Sequence, residues 1–210
     1  HKQPLREHDQ FSVADNNSWL SSMWEQRFKV IKAANFIINN AGETPGAREE
    51  EIHSTLGQAY YWRAFSYFYL VTTWGPVPVT LKEEIDYNAP LSSVEDIYTL
   101  IVEDLKKAEE WCPALYEKEP YGRDGFNLAV SEGAVKATMA YVYMCMAGWP
   151  MNKGAEYYRL AAQKAEGVID KADQGEYYYK LLDEYKKVYS WEYSSKNPEA
   201  LLGIFYNRDQ

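Results

Sequence analysis

Five stretches of this chain carry apolar residues at three- and four-residue spacing, the period of an amphipathic helix. Residues 1–16 precede them, polar and aperiodic, and predict an extended lead-in. Leu20, Trp24, Ile31, Ala34 and Ile38 mark the first helix, opened by Asn17 or Ser18 and stopped at Asn40-Ala41-Gly42. The second stripe is Ile52, Leu56, Ala59, Tyr60, Arg63, Tyr67, Leu70, Val71 and Trp74, closed by Gly75-Pro76. Ser92 and Glu95 fit a capping box for a third helix, lined by Val94, Ile97, Tyr98, Ile101, Leu105 and Ala108 and ended by Pro113.

Residues 114–127 read as loop, and a fourth helix runs from about 131 to 147. Its expected inner row is Ala134, Ala137, Ala140, Tyr141 and Met144, mostly small side chains that let another backbone approach closely. Trp149-Pro150 and Asn152-Lys153-Gly154 make a turn into a fifth helix over about 155–172, with Tyr158, Ala161, Ala162, Ala165, Val168 and Ile169 expected to face inward. A short helix is expected at 181–189, and residues 200–206 read as a strand. The alanine-lined pair of helices four and five suggests a tetratricopeptide-type hairpin, without a clean repeat period. The predicted fold is all-α: a right-handed superhelical array of helix hairpins with short extended segments, residues 1–210 forming one domain.

Composition narrows the function. A formal charge of −9, with no basic run, argues against nucleic acid or an anionic lipid surface as the main partner. Two cysteines, Cys112 and Cys145, are too few for a disulfide framework and read as small buried hydrophobes. No apolar run is long enough to span a bilayer. Aromatics make up 16% of the chain, 19 of them tyrosine, and rings with polar tips serve wet binding surfaces as well as cores.

Catalytic patterns are missing. His53 beside Glu49, Glu50 and Glu51 does not form the two-histidine zinc motif, and no phosphate loop or nucleophile elbow occurs. No catalytic residue, metal ligand or cofactor is assigned. Asp86 and Asp124 lie in loops where a hydrolase would keep its acids. Sugar binding needs rings with amides or charges at their edge. Asp86, Tyr87 and Asn88 offer these after helix two, and Trp149 and Asn152 after helix four, with Trp74 at a helix exit.

Several segments together resemble the SusD/RagB-like proteins. Leu56-Gly57-Gln58-Ala59, Arg63-Ala64, Tyr67-Phe68, Leu70-Val71 and Gly75-Pro76-Val77-Pro78 follow that family's second-helix pattern. Ala34-Asn35-Phe36-Ile37-Ile38 matches its first helix. Ser92, Glu95, Tyr98, Ile101, Asp104, Leu105, Ala108 and Pro113 match its third. Gly122-Arg123 before an alanine-rich helix and Asn197-Pro198-Glu199-Ala200-Leu201 continue the order. One departure is Gln58, where the family usually has glutamate, so a contact of that carboxylate with Arg63 is expected to be weaker or different. The resemblance implies an outer-membrane lipoprotein at the extracellular face, its lipid anchor absent from this chain. It implies a non-enzymatic glycan receptor that docks on a TonB-dependent, SusC-like transporter, this chain being the N-terminal, tetratricopeptide-like half. A helical interaction scaffold and an α-helical glycoside hydrolase are the alternatives.

Overall fold

The computed structural model describes residues 3–84, 86, 88–117, 121–123, 126–193 and 197–203. Its helices are α1 (Gln3–Asp9), α2 (Ser18–Asn40), α3 (Glu49–Trp74), α4 (Val94–Trp111), α5 (Glu132–Ala147) and α6 (Ala155–Asp173). Strands β1 (Gly122–Arg123) and β2 (Phe126–Asn127) form one short antiparallel pair, Gly122 opposite Asn127. From α2 to α6 each helix packs against the next. Direction alternates: Trp24 near the start of α2 meets Trp74 at the end of α3, and Gly57 near the start of α3 approaches Cys112 just past α4. The result is an all-α, tetratricopeptide-like stack of hairpins with short extended segments.

Local chemistry sets the helix ends. Asn17 caps α2, its Oδ1 accepting the N–H groups of Trp19 at 3.0 Å and Leu20 at 3.3 Å. Its Nδ2 donates to Glu7 and to the carbonyl of Pro4, which ties the predicted lead-in down as helix α1. Pro4 sits in the first turn of α1, where its missing N–H breaks no bond. Gly75 ends α3 at φ 73°, a conformation that favours glycine. At α4 the cap falls one residue later than expected. Ser93 takes it, accepting the N–H of Asp96 at 3.1 Å, because Ser92 is held by Val77 in an extended bridge beside Pro78 and Leu91.

The core sits between α3, α4 and α5. Tyr67, Leu70, Ile97, Ile101, Leu105, Val135, Met139 and Val142 are fully buried. The stripes of α3 and α4 face inward as their spacing predicts. Those of α5 and α6 turn further. On α5, Ala134 and Ala140 are buried, but Tyr141 is 58% and Met144 51% exposed, and Val135, Met139, Val142 and Met146 point inward instead. On α6 only Ala161 of the expected row is buried, while Tyr158 and Ile169 lie open. Tyr157, Leu160 and Ala161 pack on the core in that phase, and Lys164 reaches Glu109 on α4 and Lys171 reaches Glu132 on α5.

Past α6, Tyr177 and Tyr179 pack against Gly133, where a Cβ would come within 2.5 Å of the Tyr179 ring. Residues 185–189 form a 3-10 turn in place of the expected helix. Residues 200–203 form no strand; they lie along 178–182, Lys180 N–H donating to the Pro198 carbonyl at 3.1 Å. The rest of that expected strand, 204–206, lies outside the described residues.

Candidate functional site

A buried ionic relay braces the long connection between α3 and α4. Arg63 grips Asp104 of α4 through Nε and Nη2, both at 2.7 Å, and Nη1 donates to Asn35 Oδ1 of α2 at 2.9 Å. Asn35 Nδ2 donates onward to the carbonyls of Thr80 and Lys82, each at 3.0 Å. Burial pushes the Asp104 carboxyl up, and the Arg63 bonds oppose that rise. Arg63 thus pairs with a carboxylate, as a stripe arginine does, and the partner lies on α4 instead of at position 58. Tyr67 adds a second brace. Its hydroxyl donates to the Thr80 carbonyl and accepts the Thr80 N–H, and burial pushes its pKa up to about 12. Asn40 fixes Glu83 at 2.8 Å.

With residues 80–83 pinned against α2, an open groove of about 400 Å³ forms between them. Ala33, Phe36 and Ile37 give it an apolar floor, and Lys29, Lys32 and Glu83 a charged rim. Phe36 is 56% exposed, so its ring lines the groove instead of filling the core. The sequence contains one signal for this: Phe36 falls out of phase with Ile31, Ala34 and Asn35, the buried residues of α2.

The predicted contacts distribute differently. Asp86 and Asn88 are exposed in the turn that follows Glu83, where Asp86 Oδ1 accepts the Asn88 N–H at 2.9 Å. Tyr87 lies outside the described residues, as does Asp124. Trp149 is 85% exposed between α5 and α6. Asn152 is exposed in the same turn, at φ 50°, its Nδ2 donating to the Pro150 carbonyl. An ion pair from Lys153 to Glu95 clamps that turn to the start of α4. Trp74 packs edge-on against Trp24 at 5.4 Å and is half-buried against the core. Among the described residues, no hydrogen bond or ring contact joins the Asp86 turn to Trp149 or Asn152.

Among the described residues no cluster of histidine, cysteine and carboxylate side chains is arranged to hold a metal ion. Nor is any described helix long and apolar enough to cross a membrane.

The fold is thus a helical hairpin scaffold with an open groove of aromatic floor and ionic rim. A family model described as starch-binding and associating with the outer membrane matches residues 5–144, and the chain belongs to this SusD-like family. A SusD-like protein of Formosa agariphila is 28% identical, matched over 96% of this chain and 37% of its own length. Another from Bacteroides ovatus is also 28% identical, over 93% of this chain and 34% of its own. The chain thus spans little more than a third of the curated relatives it matches. Among solved structures, a SusD superfamily protein of Parabacteroides distasonis superposes with TM-score 0.75 at 26% identity, over 87% of this chain and 37% of its own. A second, crystallised with a xylogluco-oligosaccharide, gives 0.73 at 26% identity, over 94% and 37%.

Proposed function

We propose that this chain captures a glycan without turning it over, as part of an outer-membrane receptor at the extracellular face. The observation that carries this reading is its similarity, over nearly its whole length, to a protein crystallised with a xylogluco-oligosaccharide. The α2 groove supports it. A pyranose presents C–H groups on its faces and hydroxyls at its edge, and the groove offers Phe36 below and Lys29, Lys32 and Glu83 around. Among the described residues Glu83 is the one carboxylate in that lining, whereas glycoside hydrolysis calls for two acids across one sugar. Asp86, Tyr87 and Asn88, which follow Glu83 in sequence, and Trp149 with Asn152 are proposed as further contacts. Trp74 is given to packing.

The receptor delivers its glycan to a TonB-dependent, SusC-like transporter. A scaffold reading is favoured by one observation: Tyr141 and Met144 on α5 and Tyr158 and Ile169 on α6 stay exposed, as on a surface that meets protein.

Calorimetric titration of neutral oligosaccharides, with chromatography of the mixture, tests the proposal. Saturable binding without product, weakened by Phe36→Ala, is the expected result. Product formation, or silence across the panel, refutes it.

A further inference from the structure

The α2 groove differs in charge from one end to the other. Lys29, Lys32, Ala33, Phe36 and Ile37 recur at three- and four-residue spacing, so they form a single row on one side of α2. At 1.5 Å per residue, Phe36 stands about 6 Å beyond Lys32 and about 10 Å beyond Lys29 along the helix axis. Glu83 is held past the ring, where Asn40 Nδ2 donates both to it and to the Phe36 carbonyl, each at 2.8 Å. The groove therefore runs from two ammonium groups, across one ring, to one carboxylate.

The two lysines are uncompensated. On α5, α6 and the turn between them every lysine ends on a carboxylate: Lys136 and Lys171 on Glu132, Lys153 on Glu95 and Lys164 on Glu109. Among the described residues, Lys29 and Lys32 pair with no acid. Glu25, one turn before Lys29, is exposed, forms no ion pair with it and lies outside the groove lining. On the facing segment the exposed Lys82 and Glu84 flank Glu83 with opposite signs. The remaining acids, Glu43 past Asn40 and Asp86 past Glu84, follow the carboxylate end in sequence. Two like charges three residues apart on a helix repel, and an anion set between them relieves that repulsion while bonding to both.

We propose that the α2 groove recognises an acidic pyranoside, a uronate residue of the glycan. Its carboxylate lies between Lys29 and Lys32, its C–H face on Phe36, and its ring hydroxyls donate to Glu83. The assignment rests on the glycan-binding reading and names the sugar that the same groove prefers. It fixes direction as well as charge, because a reversed sugar would set its carboxylate against Glu83. A uronate suits this layout better than a sulfate ester does. Its charge sits on C6 and leaves the ring hydroxyls free for Glu83, whereas an ester consumes one of them. The chain as a whole carries −9, so the attraction is local to this pair of lysines and is screened by salt.

The test is calorimetry with a glucuronate-bearing xylo-oligosaccharide and its carboxyl-reduced, neutral counterpart. The acidic form should bind about tenfold more tightly at low ionic strength, and 1 M salt should shrink the difference. Lys29→Gln/Lys32→Gln should bind the two forms alike, and Lys29→Arg/Lys32→Arg should keep the preference. Both positions are exposed, so the melting temperature should hold in each variant. Phe36→Ala should weaken both forms. Equal affinity for the two forms, or a preference that survives loss of both lysines, refutes the uronate assignment and leaves the receptor reading standing. A sulfated xylo-oligosaccharide that binds more tightly than the uronate form overturns the choice of a carboxylate. If no form binds, the receptor reading fails and the assignment falls with it.

Discussion

Replacing Asp104 with alanine should destabilise the protein far more than loss of one ordinary contact. Asp104 is 2% and Arg63 6% exposed, so the substitution leaves a guanidinium in the interior without its carboxylate. Two charge-assisted bonds of 2.7 Å are lost, and water cannot replace them without opening the contact between α3 and α4. Removing one partner of such a pair costs about 3–5 kcal/mol. That is a large share of the roughly 5–15 kcal/mol by which domains are stable.

The assay is urea unfolding followed by far-ultraviolet circular dichroism, with midpoint and slope both fitted. Asp104→Ala should move the midpoint strongly, and 1 M salt should change the difference little, since a buried pair is poorly screened. The double variant Arg63→Met/Asp104→Leu should be less destabilised than Asp104→Ala, because it removes the stranded charge along with its partner. Its residual cost is Asn35 Oδ1, deprived of its Arg63 donor, at about 1–3 kcal/mol. A loss below about 1 kcal/mol for Asp104→Ala, or a double variant worse than the single, would show that the relay is not what couples α2, α3 and α4.

Three further outcomes follow from the packing and the charges. Gly57→Ala should destabilise by about 1–3 kcal/mol despite the better helix propensity of alanine, since its Cβ would lie 2.9 Å from Cys112 Sγ and 3.0 Å from its backbone nitrogen; a melting temperature at or above the original contradicts this. Cys112 is buried and its thiol is pushed up to about 12 by burial, so a thiol reagent at pH 8 should label it only on unfolding, with Cys145 reacting first. Burial raises the Glu132 carboxyl, but bonds from Lys136 at 2.7 Å and Lys171 at 3.1 Å outweigh it and hold the group below its ordinary value. The folded state then binds that proton less readily than the unfolded one, so the stabilisation is present above the carboxylate range and fades as pH falls through it. Melting temperatures of Glu132→Gln should accordingly lie below those of the original at neutral pH and approach them as pH falls through the carboxylate range, and a constant gap would refute the linkage.

Spacing made α2, α3 and α4 legible because each has one apolar face and a clear stop. Asn17, Gly75 and Pro113 marked ends that the hydrogen bonds and backbone angles bear out. Arg63 was readable as half of an ion pair, but its partner was not, since Asp104 is 41 residues away and only the antiparallel packing of α3 on α4 brings them together. On α6 two apolar rows satisfy the same period. Tyr157, Leu160 and Ala161 face the core, while Tyr158, Ala162 and Ile169 face out. Periodicity sets the repeat and not its phase. Phase here depends on which row meets the core, with Lys164–Glu109 and Lys171–Glu132 pairing alongside, and that is tertiary information.

The same limit governs which rings were read as binding residues. Trp74 ends an apolar stripe, so the stripe claims it, and Trp24 covers one edge of it. Phe36 sits inside a helix and looks like core until the chain at 80–83 is pinned beside it by Asn35 and Asn40. Tyr185, Tyr189 and Trp191 occupy 3-10 turns too short to show a period, so no stripe either claims them for the core or marks them as outward. A ring committed to the core is recognisable because neighbours at helical spacing share its fate. Phe36 has no such neighbours, and it stands at a groove only because the connection beside it is braced by side chains distant in sequence.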